Sequence, residues 1–155
     1  MNKEKVAIFG LLFVALMAVI TVVAHMACIP LGEACYRAQL APEFLIESAR
    51  QGTLLAPIAT VFVSGLFALC AAYALAGAGY MKRLPFTKLA LMTIATLCTL
   101  RGLAGIGGSF VLPELVTLFS VVASVLWFAC GIFTFLALKW LPSIPPLQSN
   151  TATDT

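Results

Sequence analysis

Arg101 lies inside an apolar run, TLCTLRGLAGIGGS (96–109), with glycine at 102, 105, 107 and 108. A guanidinium keeps its charge at every physiological pH and can grip a phosphate, a carboxylate or a carbonyl oxygen. An arginine at the middle of a bilayer costs ~2.5–3.5 kcal/mol on insertion scales, so it faces protein or water and finds a partner. Ile94, Cys98, Arg101, Gly105 and Gly108 recur at alternating four- and three-residue steps, which is one stripe of a helix. Beyond Arg101 that stripe is glycine. Gly105 and Gly108 leave room either for a closely packed helix or for a ligand head group.

The counter-charges on offer are Glu114, in a short turn after the same helix, and Glu33, Glu43 and Glu47 in an earlier loop. Glu114 is the best placed. His25 is the only histidine and sits near the end of the first apolar segment. It suits either an interfacial anchor at a helix C-terminus or proton exchange in an outward-facing site. Arg101, His25 and Glu114, with Glu33, Glu47, Gly105 and Gly108, form the expected polar cluster. Its ligand would be anionic or carbonyl-bearing: a lipid phosphate, a quinone or a carboxylate.

Cys28 and Cys35 flank IPLGEA, and in an oxidising compartment a disulfide would close that loop. One histidine beside two cysteines has no zinc spacing, so neither a metal nor a cofactor is expected. Quinone-coupled thiol–disulfide exchange calls for a CxxC motif and a second outer pair, and the sequence has neither. It also lacks HExxH, GxSxG and Walker motifs. No acidic residue lies deep in an apolar segment, which argues against a proton-coupled exporter or ion pump.

These residues depend on the elements that carry them. Of 155 residues, 62% are hydrophobic and 10% charged, and mean hydropathy is +1.07. Soluble domains carry about a quarter charged residues, so the composition is that of an integral membrane protein. The basic residues are few and scattered, which excludes a nucleic-acid footprint. Apolar segments run over about 6–29, 54–76, 88–108 and 115–138. Each is long enough to cross ~30 Å of hydrocarbon as a helix, and none alternates as a barrel strand would. The first is about twice the length of a signal-peptide core and reads as an uncleaved helix.

Lys3, Lys5, Lys82, Arg83, Lys88 and Lys139 fall on one side of such a bundle, against Arg37 and Arg50 on the other. That bias puts both termini in the cytoplasm. In a Gram-negative cell the membrane would be the inner one. Pro42, Glu43 and Gly52 frame a short amphipathic helix within 41–53, either covering the bundle or acting as a lid. Thr60, Ser64, Ala68 and Ala71, and later Ser120, Ser124 and Gly131, form small or hydroxyl-bearing packing stripes. Pro57 is expected to kink the second span. The proline-rich segment 141–155 reads as a flexible cytoplasmic tail.

The expected fold is all-α: one antiparallel four-helix transmembrane bundle over 1–140, with a short amphipathic helix in the first outer loop. No motif assigns it to a family. The first loop lacks the aromatic–cysteine pattern of tetraspanins and claudins, and the first helix lacks the glutamate of small multidrug exporters. The expected function is non-catalytic: a membrane subunit or accessory protein whose partners are the bilayer and another membrane protein or a second copy. The alternative is an enzyme or carrier for a lipid-like or quinone-like molecule near Arg101.

Overall fold

The computed structural model describes residues 3–82, 84–111 and 117–140. They form six helices: α1 Lys3–Leu31, α2 Glu33–Ala38, α3 Glu43–Arg50, α4 Leu55–Gly77, α5 Thr87–Val111 and α6 Leu118–Trp140. Four of these, α1, α4, α5 and α6, are long and apolar enough to cross a membrane, at 29, 23, 25 and 23 residues. At ~1.5 Å per residue each exceeds the ~30 Å of a hydrocarbon core. α1 and α5 overrun their apolar segments at both ends, α4 is displaced from its segment by one residue, and α6 ends just past 138. The sequence start of the fourth, at 115, lies outside the described residues.

Hydroxyls inside these helices bond back to the carbonyl four residues earlier, as Thr21, Thr93, Thr96, Thr99, Ser109, Ser124 and Thr134 do at 2.7–3.1 Å. That pairing lets a polar side chain sit on an apolar helix without an orphaned donor. Among the described residues, Ser64 Oγ is the buried side-chain atom without a hydrogen-bond partner. The packing stripe on α4 follows Thr60, Ser64, Ala71 and Ala74, all buried, whereas Ala68 is exposed. Pro57 falls in the first turn of α4, where no intrahelical N–H bond is due, so it breaks no bond of the helix.

The chain divides into two compact units: Ala15–Ala72, and the segments before and after it. In the second unit, α5 and α6 run antiparallel at very close range. Going up α5, Ala95 and Thr99 meet Gly131, Gly102 meets Phe128, and Gly105 meets Ser124. A Cβ at Gly102 would stand 2.6 Å from Phe128 N and 2.7 Å from its Cα, so the two backbones touch. Small residues permit that approach, and the short contact distance itself adds attraction. The start of α1 joins this unit through Phe13, edge-on to Phe133 at 5.6 Å, and Gly10 packs on the same ring.

Within Ala15–Ala72, α2 and α3 form a cap. The short helix expected within 41–53 is α3, and a second short helix, α2, precedes it over Glu33–Ala38. Gly32, at φ 69°, ends α1 and starts α2. The N–H of Leu40 then bonds Arg37 O and that of Ala41 bonds Tyr36 O, closing α2 in a Schellman motif. Leu40, at φ 55°, takes the left-handed position usually given to glycine. Gly52 fills the equivalent position after α3, with Gly52 N–H on Ala49 O and Thr53 N–H on Ser48 O. The cap core is Cys28, Tyr36, Ile46 and Ala56, with Cys35, Ala41, Leu45 and Ala49 packed against it.

Candidate functional site

Arg101 is exposed on α5, at the border between the exposed face and the face that meets α6. Its Nη1 reaches to 3.4 Å from the place where a Gly105 Cβ would stand. A helical side chain leaves its Cα toward the helix N-terminus, so this guanidinium has turned back to run C-terminally along the helix. Gly105 makes room for Ser124, because a Cβ there would overlap Ser124 Oγ, whereas it would only touch Arg101. Gly102 is taken up by Phe128. Gly107 and Gly108 meet nothing within 4 Å among the described residues. On the expected stripe, Ile94 and Cys98 are buried and Gly105 half-buried, while Arg101 and Gly108 are exposed.

Two of the expected counter-charges are engaged inside their own helices. Glu33 accepts a hydrogen bond from Arg37 at 2.7 Å. Glu47 accepts from Arg50 Nε and Nη2 at 2.9 and 2.8 Å, and from Gln51. The bonds from Arg50, then Gln51, hold the Glu47 carboxyl below the usual carboxylate range, and Glu33 raises the pKa of Arg37. Glu43 is exposed in the first turn of α3. Glu114 lies outside the described residues.

His25 Nδ1 lies 3.0 Å from Thr21 O, an atom that can only accept, so Nδ1 carries the proton. The ring tilts against Phe67 with centroids 5.6 Å apart. His25 and Arg101 belong to different units. No group of three or more potential metal ligands occurs among the described residues.

Cys28 and Cys35 are joined by a disulfide across a Cα–Cα distance of 5.1 Å. Cys28 is buried at the end of α1, and the bond ties it to the first turns of α2. Gln39 stands over the pair. Its Nε2 donates to Ala24 O at 2.8 Å and to Cys28 Sγ at 3.0 Å.

Three cap residues were not singled out from sequence. Tyr36 is buried, with its hydroxyl 2.8 Å from Thr60 Oγ1. Thr60 spends its one hydroxyl proton on Ala56 O, so Tyr36 is the donor. Ser48 Oγ accepts from Ala56 N–H at 2.9 Å and so caps the start of α4 from eight residues away. Gln39 is the third. Tyr36 is the only aromatic between the first span and Phe44, and that isolation was the available signal. Tyr36→Phe is expected to lower stability by about 1 kcal/mol, the net value of one buried hydrogen bond, read as a shift in thermal unfolding.

Between α1, α2, α3 and α4 lies a depression of about 130 Å³, lined by Ile29, Gly32, Tyr36, Ala49, Thr53 and Pro57 among others. Ligand pockets for drug-sized molecules run to ~300–1,000 Å³, so this space suits a few waters or one side chain. No protein-family model, curated protein or solved structure matches the chain.

Proposed function

We propose that this chain is a multi-pass protein of the cell membrane, with its long helices crossing as an antiparallel bundle and both termini in the cytoplasm. The Lys/Arg bias supports that orientation. The Cys28–Cys35 disulfide supports it independently, since it suits an oxidising, extracytoplasmic side for the cap. Its function in this reading is that of a non-catalytic membrane subunit or accessory protein. The observation that carries it is the exposure of Arg101 on a long apolar helix where the two nearest glycines, Gly102 and Gly105, are already taken up by α6. A guanidinium left at that depth has to meet an acidic group of a partner subunit or a lipid. The competing picture, a carrier or enzyme for a lipid-like or quinone-like molecule, needs a pocket walled by glycine. Gly102 and Gly105 favour the subunit, because helix α6 occupies their space.

Native mass spectrometry in mild detergent tests this. The wild-type chain should carry a second copy, another subunit or a tightly held lipid. Arg101→Met should release it with unchanged thermal unfolding, and Arg101→Lys should keep part of it. A wild-type chain that flies bare and alone, or an Arg101→Met assembly identical to wild type, would overturn the reading.

A further inference from the structure

Phe86 is held in a backbone conformation that its side chain disfavours. Its φ is 58°, in the left-handed region where a bulky residue is an outlier. The surrounding bonds enforce it: Tyr73 Oη donates to Pro85 O at 3.2 Å, Thr87 Oγ1 to Leu84 O at 2.6 Å, and Ala90 N–H to Phe86 O at 2.9 Å. Glycine would suit the position better, as Gly79 does a few residues earlier at φ 83°. What phenylalanine adds is its ring, on a residue that is 78% exposed. Strain that persists under such enforcement points to a use for the side chain it presents.

The same loop exposes Tyr80, Met81, Lys82 and Lys88. The charge carried by this stretch of sequence is purely basic, for no Asp or Glu occurs from 48 through 113. Aromatic rings favour the headgroup layer, and lysines beside a spanning helix attract anionic lipid. Resting on the membrane-spanning reading above, we propose that Tyr80, Lys82, Phe86 and Lys88 form a binding site for an anionic phospholipid of the cytoplasmic leaflet. Phe86 and Tyr80 enter the interface, and Lys82 and Lys88 take the phosphate.

The test uses the full chain in nanodiscs of equal phosphatidylglycerol and phosphatidylcholine, with native mass spectrometry of the lipids that stay bound on release. The wild-type chain should retain phosphatidylglycerol about tenfold over phosphatidylcholine. K82Q with K88Q should lower that preference severalfold. Phe86→Gly should melt no lower than wild type, because glycine accepts the backbone, yet retain severalfold less lipid. Equal retention by wild type, a preference undiminished in K82Q/K88Q, or full retention by Phe86→Gly would overturn the proposal. Failure of the chain to enter nanodiscs at all would instead overturn the membrane-spanning reading.

Discussion

Valine at position 102 is expected to separate α5 from α6. A Cβ there stands 2.6 Å from Phe128 N, 2.6 Å from its Cβ and 2.7 Å from its Cα. Two of those atoms are backbone and cannot rotate away, so the helices must move apart along the contact that also seats Gly131 against Thr99. Overpacking of a tight site costs ~1–3 kcal/mol, and a backbone clash belongs at the upper end. Gly102→Val should therefore lose about 3 kcal/mol, read as a large drop in the unfolding midpoint in detergent by helical circular dichroism. Gly107→Ala is the matched control. It meets nothing within 4 Å among the described residues, and alanine improves helix propensity by ~1 kcal/mol, so its midpoint should hold or rise. A Gly102→Val midpoint equal to wild type would mean that the α5–α6 contact does not hold the fold.

That contrast shows where sequence reasoning reaches its limit. The spans are legible because an apolar run of about 20 residues has few other uses. The glycines are ambiguous because successive helical positions are only ~100° apart. A stripe through Arg101, Gly105 and Gly108 and one through Ala95, Gly102 and Gly105 are both consistent with the sequence; the residues α6 presents decide between them. Phe128 and Ser124 choose the second, which turns Arg101 and Gly108 outward. The local acid pairs were closer to hand. Arg37 follows Glu33 by four and Arg50 follows Glu47 by three, spacings that favour pairing along one helix over reaching another.

The cap was less legible. A helix of six residues has too few periods to show a pattern, and α2 is held by the disulfide and the Tyr36–Thr60 bond, together with its local closure at Leu40. Exposed surface ion pairs such as those of α2 and α3 contribute little, on the order of 0–1 kcal/mol. Short helices in water are marginal without packing, so the covalent tie carries a large share of what keeps α2 in place.

Removing that tie is the second large effect. Closing so short a loop restricts the unfolded chain by an amount worth about 2.5 kcal/mol on the chain-entropy estimate. Cys28→Ala with Cys35→Ala should lose roughly that much, and the loss should be local. Buried Cys28 contributes to the core on which Tyr36 and Ile46 rest, and Gln39 would lose its Sγ acceptor while keeping Ala24 O. Arg37 and Arg50 are the exposed trypsin sites of the cap, one in each short helix. In the oxidised wild-type chain both should be cut slowly, because a helix must open before a protease can bind it. In the double variant, or after reduction, cleavage at Arg37 should rise by about tenfold or more, while Arg50 changes less, since α3 keeps its own Schellman closure at Gly52 and its Ser48 bond to the start of α4. Equal rises at both sites would make the cap one cooperative unit, and no rise at Arg37 would mean that α2 stands without its staple.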